Sequence, residues 1–543
     1  MSGFSLVHSR ALMGLRALSV QVEVHLANGL PSFTLVGLAD TEVKEARERV
    51  RSAIANSGLD FPTNKRITVN LAPADIPKDS GRFDLPIALG ILAASGQIDG
   101  AKLAGHEFAG ELSLSGQLRS VQGALAMALG MALQPEDPSG TSSVLVLPEG
   151  SAHEASLVPD ARVVSVAHLL DVVARFAPAK GADEAATQIT TSGANASLAH
   201  APATAAQSGW KILQTPDRPV RASYADMREV KGQQAAKRAL EIAAAGGHSV
   251  LMVGAPGTGK SMLAQRFAGI LPPMGTQEAL ESAAILSLAG QFKPEKWAQR
   301  AIQSPHHTAS AVALVGGGSP PRPGEISLAH EGILYLDEIG EFNRSSLEAL
   351  REPLESGHIS ISRAAQRTTF PARFQLIAAM NPCPCGYLGS QVRACRCTPD
   401  QVDRYQGKLS GPLLDRIDIH VEVPALSPEQ LLSNSAGEDA KDQEASEQIA
   451  SRVQAARERS VERQGQLNRA LVGDALQSMV QLDETARQFL NKAAARLGWS
   501  GRGIHRAMRV GRTIADLAGA RSVQITHIAE AIQYRRVLRS QGV

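Results

Sequence analysis

The sequence has few cysteines, almost no net charge and no long apolar run. No stretch approaches the roughly 18 apolar residues that a membrane-spanning helix needs, and Arg10, Arg16 and Glu23 interrupt the region where a signal peptide would have its apolar core. These absences predict no membrane partner and a cytoplasmic location, where reducing conditions disfavour structural disulfides. The four cysteines therefore need another explanation. Because the net charge is only +2, any nucleic-acid site must be a local patch.

One segment of the chain has a composition that resists folding. Residues 177–209 contain twelve alanines and no aromatic residue, so this segment cannot bury enough apolar surface to order itself. We expect a flexible linker at 181–212 that follows an N-terminal domain at 1–180.

The N-terminal domain alternates between strand and helix patterns. Polar and apolar residues alternate at 19–26, which predicts a half-buried strand, and a second strand is expected at 32–37. A charged helix follows, with Val43, Val50 and Ile54 on its apolar side. A strand at 67–71 and an apolar helix at 85–94 come next. The mixture predicts an α/β fold.

A short apolar strand at 248–253, a glycine-rich loop and an amphipathic helix follow one another in the second half of the chain. The loop fits the phosphate-binding pattern G-x-x-x-x-G-K-[ST] and consists of Gly254, Ala255, Pro256, Gly257, Thr258, Gly259, Lys260 and Ser261. Its glycines let backbone N–H groups turn towards phosphates. We expect Lys260 to contact the β- and γ-phosphates of ATP and Ser261 to ligate Mg²⁺. The alternative is a glycine-rich turn that binds nothing.

Two further strands end in polar residues suited to nucleotide hydrolysis. The apolar run at 332–336 ends in Asp337 and Glu338, a Walker B pattern in which the first acid holds Mg²⁺ and the second polarises the attacking water. The run at 374–380 ends at Asn381, whose amide is expected to reach the γ-phosphate or that water. His306 and His307 are adjacent and point apart on a regular element, so we interpret them as structural or inter-subunit residues.

All four cysteines fall within 15 consecutive positions, as Cys383, Cys385, Cys395 and Cys397. Four thiolates can close a tetrahedral Zn²⁺ site, although the C-x-C spacing is tighter than usual. Free thiols and a redox pair are the alternatives. A loop held by a metal ion directly after Asn381 would either contact DNA or have a structural role only.

Residues 357–370 predict a β-hairpin with Arg363 and Arg367 near its tip. Arginines at such a tip are candidates to grip DNA phosphates, through contacts that are independent of sequence and sensitive to salt. The alternative is that both arginines are solvated on a turn.

The segments at 77–86 and 110–118 resemble the peptidase domain of Lon proteases. Where those enzymes place their serine, this chain has roughly Arg82, and the stretch at 123–128 has no lysine in the place of the activating base. Ser80 is a candidate only if it is displaced by two positions. A serine without a base is a weak nucleophile, so we expect a non-catalytic relative of that fold that serves assembly or partner binding.

The order of motifs from about residue 213 onwards resembles an AAA+ ATPase of the magnesium-chelatase-related branch. Together with the N-terminal domain, further stretches are similar to the ComM (YifB) family along nearly the full length, at 305–308, 316–318, 323–330, 381–386 and 512–517. The resemblance implies an AAA+ core at 213–426, with the cysteine loop at 383–397, and a helical lid at 427–543. It also implies that Arg416 reaches the nucleotide of the next subunit and that Arg502, or as second choice Arg506, is the sensor-2 arginine.

The same resemblance implies a hexameric motor that uses ATP and Mg²⁺ to drive branch migration of DNA in natural transformation and recombination. Two other classes of function stay open. One is an ATP-driven remodeller of a protein partner, like a magnesium-chelatase subunit. The other is an ATP-dependent protease, which the missing serine–lysine pair opposes.

Overall fold

The structure is a computed structural model, and it describes residues 3–37, 41–78, 81–132, 143–178, 209–215, 224–318, 321–363, 366–390, 393–427 and 444–535. The chain divides into two compact units. Unit 1 comprises residues 1–219 and 283–295, and unit 2 comprises residues 220–282 and 296–543. Most of the linker expected at 181–212 lies outside the described residues.

Unit 1 is built on one eight-stranded sheet. The described strands of unit 1, eight in this sheet and two in a separate pair, are β1 (Phe4–Met13), β2 (Arg16–Ala27), β3 (Ser32–Val36), β4 (Arg66–Ala72), β5 (His106–Phe108), β6 (Glu111–Leu112), β7 (Leu118–Arg119), β8 (Val144–Pro148), β9 (Val163–Val166) and β10 (Lys211–Leu213). Its helices are α1 (Thr41–Asn56), α2 (Asp84–Ala94), α3 (Ala124–Ala132), α4 (Glu149–Ala155) and α5 (Leu169–Arg175). The sheet order is β10-β9-β8-β5-β1-β2-β4-β3, and β6 pairs with β7 separately.

The strands and helices expected in the N-terminal domain are confirmed. In β2, the apolar residues Val20, Val22 and Val24 are fully buried, because every second side chain of a strand points to the same face. The helix α2 has nine consecutive buried residues and lies within the core. The strand β10 forms one edge of the sheet, where it pairs antiparallel with β9. Residues 211–213 therefore belong to the sheet of unit 1.

Unit 2 contains a five-stranded sheet, two hairpins and most of the helices. Its strands are β11 (Val250–Val253), β12 (Ile302–Gln303), β13 (Gly316–Gly317), β14 (Arg322–Pro323), β15 (Ile333–Leu336), β16 (His358–Arg363), β17 (Gln366–Pro371), β18 (Gln375–Met380) and β19 (Ile419–Glu422). Its first helices are α6 (Gln234–Gly246), α7 (Lys260–Arg266), α8 (Thr276–Leu288, whose residues from 283 are assigned to unit 1), α9 (Ala311–Val315), α10 (Glu325–Leu328), α11 (Arg344–Glu348), α12 (Arg351–Ser356), α13 (Pro399–Gln406) and α14 (Gly411–Leu414).

The five strands of this sheet are all parallel, in the order β12-β15-β18-β11-β19. The three central strands, β15, β18 and β11, are buried along their whole length, which is typical of parallel strands covered on both faces. Ligands of such sheets bind beyond the carboxyl ends of the strands. The P-loop follows β11, the Walker B acids follow β15 and Asn381 follows β18. The fold therefore brings the three predicted motifs to one edge.

The end of the described chain is helical, as expected for a lid. The helices are α15 (Ser446–Gln464), α16 (Gly473–Val480), α17 (Glu484–Leu497), α18 (Gly501–Leu517) and α19 (Ile525–Gln533). A buried carboxylate on α18, Asp516, joins this helix to α15 and to the turn after it, since it accepts hydrogen bonds from Arg463 and Asn468 as well as from Arg512 of its own helix. Among the described residues, no helix is both long and apolar enough to cross a membrane.

Candidate nucleotide-binding site

The P-loop connects β11 to α7 at the carboxyl edge of the parallel sheet. The helix α7 begins at Lys260, and its cap residue Gly259 has a left-handed backbone with φ of 92°. Gly257 is also left-handed, with φ of 78°. A Cβ atom at either glycine would meet no other atom within 4 Å. The backbone shape therefore requires these glycines, and the space over the loop is open to phosphates.

Lys260 is folded over the loop. Its Nζ donates to the carbonyl oxygens of Gly254, at 2.7 Å, and Ala255, at 2.9 Å. Burial lowers the pKa of Lys260, while the negative charges of Asp337 and Glu338 act in the opposite direction. A buried ammonium group with acids nearby is suited to bind the negative charge of a triphosphate.

Ser261 and Asp337, the two predicted Mg²⁺ ligands, meet at one corner of the site. The Ser261 hydroxyl donates to Oδ2 of Asp337 at 2.8 Å and accepts a hydrogen bond from the hydroxyl of Tyr335 at 3.1 Å. Tyr335 is largely buried, and burial raises its pKa well above the usual range, so the tyrosine remains a donor. These side chains offer one hydroxyl and one carboxylate, the oxygen donors that Mg²⁺ prefers.

Glu338 stands beside this corner with its side chain half exposed. Its backbone is left-handed, with φ of 49°, and its N–H donates to Oδ1 of Asp337 at 3.0 Å. The Nδ1 atom of His307 lies 3.8 Å from Oε2 of Glu338. The sequence motifs did not predict that His307 lies beside Glu338, although the position of His307 after a short strand was a signal for it. His307 follows the short strand β12, which pairs with the Walker B strand β15, so both strands end at the same edge.

Asn381 joins the same site from the other side. In the pairing of β11 with β18, Val253 is opposite Met380, and the N–H of Gly254 donates to the Met380 carbonyl at 3.1 Å. As a result, Oδ1 of Asn381 lies 3.3 Å from Nζ of Lys260. The structure therefore places Lys260, Ser261, Asp337, Glu338 and Asn381 together.

Arg416 lies at the opposite edge of the sheet. It precedes β19, which runs parallel to β11 with Val250 opposite Ile419. Residues just before a strand lie at its amino end, whereas the P-loop follows the carboxyl end of β11. Four residues of strand separate the two edges by about 13 Å. Arg416 forms an ion pair with Glu355 and is remote from the phosphate loop of its own chain.

A cavity of about 520 Å³ opens beside Arg416. Five arginines and two acids are among the residues that line it, namely Arg373, Arg416, Arg469, Arg506, Arg509, Glu355 and Asp418. Arg506 donates to Oδ1 of Asp418 at 2.6 Å. Burial alone would raise the pKa of Asp418, but the charge of Arg506 and a hydrogen bond with His248 hold it well below its usual range. The cavity is thus cationic and suited to an anion.

The two sensor-2 candidates have different positions. Arg506, the second choice, lines the cavity. Arg502, the first choice, is exposed one turn earlier on α18 and is absent from the lining. The hydrogen bond from Arg416 is the main cause of the lowered pKa of Glu355, and the charges of Arg502 and Arg506 contribute to it. Both candidates therefore belong to the Arg416 edge of the sheet.

The four cysteines converge in space, and no disulfide joins them. Their sulfur atoms all lie within 4.8 Å of one another. The Sγ atom of Cys383 is 3.4 Å from that of Cys385 and 3.6 Å from that of Cys395. The cluster is compatible with a tetrahedral metal site.

The predicted hairpin is confirmed as β16 and β17. Ser362 is opposite Arg367, and Arg363 is opposite Gln366 at the last described pair before the tip. The Arg367 side chain is exposed, which leaves its charge available to a ligand. The side chain of Arg363 lies outside the described residues.

In unit 1, the position that resembles a protease nucleophile is held by a buried arginine. Arg82 lies in the short turn Gly81–Phe83 that leads into α2, and 2% of it is exposed. Asp84 accepts hydrogen bonds from Arg49 at 2.6 and 3.0 Å. Burial raises the pKa of Asp84 to about 6, although Arg49 opposes the shift. Ser80 lies outside the described residues.

Three families match the chain. Residues 226–431 match the family described as magnesium chelatase, subunit ChlI, and residues 22–138 match subunit ChlI of Mg-chelatase. Residues 443–535 match the C-terminal part of magnesium chelatase subunit ChlI. The matches cover most of both units and support ATPase activity with ATP and Mg²⁺.

Longer similarities extend over nearly the whole chain. A Salmonella typhimurium protein named YifB is 46% identical over 536 residues, which is 98% of this chain and 97% of the relative. The competence protein ComM of Haemophilus influenzae is 46% identical over 537 residues, 98% of each chain. A chloroplast magnesium-chelatase subunit ChlI of rice (Oryza sativa subsp. indica) is 27% identical over 224 residues, 40% of this chain and 46% of the relative. The chain therefore belongs to the ComM (YifB) family of magnesium-chelatase-related AAA+ proteins.

Proposed function

We propose that this chain is a cytoplasmic, ATP-hydrolysing DNA motor that assembles as a homo-hexameric ring and promotes branch migration in natural transformation and recombination. The observation that carries the proposal is the position of Arg416. An arginine at the amino edge of the sheet cannot serve the phosphates at the carboxyl edge of the same sheet. A head-to-tail ring brings the two edges of neighbouring copies together.

Within one chain, the proposed site binds and orients the nucleotide. Lys260 and the P-loop amides hold the β- and γ-phosphates, and Asn381 lies where an amide can position the γ-phosphate. Glu338 accepts a hydrogen bond from the attacking water and polarises it. Ser261 and Asp337 would hold Mg²⁺, which supplies positive charge to the phosphates.

The neighbouring chain completes the site with cationic side chains. Arg416 stabilises the charge that develops on the γ-phosphate, and Arg506 of the same cavity is the better placed of the two sensor-2 candidates. Removal of such an arginine typically costs about 10³-fold or more in turnover. Hydrolysis then depends on assembly, because neither edge alone contains the full set.

DNA is the proposed substrate of movement. The exposed Arg367 and the neighbouring Arg363 on the β16–β17 hairpin provide cationic contacts for a phosphate backbone. The name of the Haemophilus influenzae relative, a competence protein, supports a role in the uptake of DNA. Zn²⁺ at the four cysteines completes the proposed cofactors, and the N-terminal domain is proposed to bind a protein partner.

The test is ATP hydrolysis and strand separation on forked and four-way DNA over a range of salt concentrations. We expect DNA to stimulate hydrolysis, with a stimulation that weakens as salt rises. Glu338→Gln should bind ATP and assemble but not turn over, whereas Glu341→Gln, an acid three residues away with its side chain paired to Lys408, should retain activity. Normal turnover in Glu338→Gln would contradict the assigned role.

The second candidate is an ATP-driven remodeller of a protein partner. The similarity to ChlI over 224 residues favours it, because the same ATPase core is shared. Absence of DNA binding at low salt would support this candidate and contradict the motor.

A further inference from the structure

The sulfur geometry of the cysteine cluster fits a metal ion. With Zn–S bonds of about 2.3 Å, the sulfurs of a tetrahedral site are about 3.8 Å apart. The sulfurs of Cys383, Cys385 and Cys395 are separated by 3.4, 3.6 and 3.6 Å. A disulfide would need about 2.05 Å. Small outward movements of the sulfurs therefore produce a zinc cage, whereas a disulfide requires a much larger inward one.

Backbone N–H groups support the sulfurs. The N–H of Cys385 donates to Sγ of Cys397 at 3.4 Å, and the N–H of Cys397 donates to Sγ of Cys395 at 3.4 Å. Hydrogen bonds of this kind orient metal ligands. Cys383 is fully buried, while the other three cysteines are partly exposed, which gives a metal a path to the site.

The cysteine loop also rests on the P-loop. Gly386 has φ of 82°, and a Cβ atom at this position would lie 2.6 Å from Cδ of Pro256. The loop therefore passes so close to Pro256 that a larger residue does not fit. Because Pro256 is the third residue of the phosphate-binding pattern, a displacement of the cysteine loop would act directly on the P-loop.

The same loop is connected to Asn381. Cys383 follows Asn381 by two residues, and the carbonyl oxygen of the intervening Pro382 accepts a hydrogen bond from Gln406 at 2.9 Å. The backbone of Asn381 hydrogen-bonds the buried Tyr405 hydroxyl. Between Met380 and Pro399, the described residues form no helix or strand. A segment without helix or strand has few backbone hydrogen bonds of its own to offset the conformational entropy that is lost when it becomes ordered. The free energy of metal binding can offset that loss instead.

We propose that the four cysteines bind one Zn²⁺ ion and that this ion positions Asn381 and Pro256 for ATP hydrolysis. Binding converts four thiols to thiolates and releases four protons, with no change of oxidation state. The positioning role rests on the proposed ATPase function, whereas the metal site itself does not. Asn381 is the residue expected at the phosphates, and the zinc cage acts through it and through the contact with Pro256.

The first experiment measures metal content in the full-length protein. Mass spectrometry of metals should find about one zinc per chain, and replacement by Co²⁺ should give the visible absorption of a tetrahedral thiolate site. Cys385→Ser and Cys397→Ser should lose the metal, since each removes a partly exposed ligand. Arg396→Ala, an exposed residue between two ligands, should keep it. Wild-type protein without bound zinc and without the cobalt spectrum would overturn the metal site.

The second experiment separates positioning from general stability. Cys397→Ser should lower the turnover number about tenfold, while the affinity for a fluorescent ATP analogue changes less. In an Asn381→Ala background the same substitution should lower turnover by much less than tenfold, because the share of the effect that runs through Asn381 is already lost. Additive losses would overturn the positioning role. If the wild type itself did not hydrolyse ATP, the proposed function would fail while the zinc measurement still decided the metal site.

Discussion

Glu355 and Arg416 form an ion pair within one chain, between the end of α12 and the segment before β19. Only 13% of the Arg416 side chain is exposed, compared with 64% of the Glu355 side chain. Nε of Arg416 is buried without a hydrogen-bond partner. The carboxylate therefore satisfies the hydrogen bonds of the arginine only in part, and in the proposed ring a phosphate group of the neighbouring nucleotide would compete with it.

Loss of this ion pair should make assembly easier. In Glu355→Gln the arginine has no competing charge, so we expect half-maximal ATP hydrolysis at a protein concentration about threefold lower than in the wild type. The measurement is the specific activity over a dilution series. Glu352→Gln, which removes an exposed acid from the same helix, is the control. A curve for Glu355→Gln that coincides with that of the control would contradict the interpretation.

The sequence predicts the parts of the site that depend on local patterns. It does not predict the parts that depend on contacts between segments far apart in the chain. The P-loop, the Walker B acids and Asn381 each come directly after a short buried strand, so a local pattern sufficed to predict that each motif stands at the end of a strand. The remoteness of Arg416 from the P-loop depends on the pairing of β19 with β11, which joins segments 169 positions apart at Val250 and Ile419. No local pattern contains that information.

Other features were only partly predictable for the same reason. The spacing of the cysteines predicted a cluster but not its contact with Pro256, because that contact joins two loops. The adjacent pair His306 and His307 predicted a structural or inter-subunit role, whereas the proximity of His307 to Glu338 comes from the pairing of β12 with β15. The order of preference between Arg502 and Arg506 could not be derived without the direction in which α18 presents each side chain.

His307 should assist hydrolysis through Glu338. Its Nδ1 atom lies 3.8 Å from Oε2 of Glu338, so the imidazole is placed to orient the carboxylate that we propose polarises water. We expect His307→Ala to lower turnover about fivefold and to leave ATP affinity nearly unchanged. The adjacent His306→Ala is the matched control. Equal effects of the two substitutions on turnover would show that Glu338 does not need this neighbour.

Arg367 should contribute to DNA affinity without sequence preference. The exposed charge on β17 is expected to neutralise one phosphate, so Arg367→Ala should weaken DNA binding. The slope of the logarithm of affinity against the logarithm of salt concentration should become shallower by about one. Arg487→Ala, an exposed arginine on α17, is the control. The measurement is a fluorescence anisotropy titration at several salt concentrations. A salt slope that stays at the wild-type value would argue against a role of the hairpin.

His420 should make unit 2 sensitive to acid. Burial, together with the charges of Arg535 and Arg506, lowers the pKa of His420 to about 3, compared with about 6.5 in an unfolded chain. Between these values the unfolded chain binds more protons, so the free energy of unfolding falls as pH decreases. The urea midpoint of the wild type should therefore drop between about pH 7 and pH 5.

Replacement of this histidine tests the assignment. His420→Gln should show a smaller drop in the urea midpoint over the same range, as followed by tryptophan fluorescence. His358→Gln, which removes an exposed histidine, should behave like the wild type. A drop in His420→Gln as large as in the wild type would place the acid sensitivity elsewhere.

The central claim is that each ATPase site is built from two chains, with Glu338 from one and Arg416 from the next. The most direct measurement is ATP hydrolysis, in the presence of forked DNA, by a mixture of Glu338→Gln and Arg416→Ala proteins. Each variant alone should be inactive, because every site in its ring lacks one group. In an equal mixture about a quarter of the interfaces regain both intact groups, so activity should reappear. Mixed rings that form but stay inactive would contradict the account.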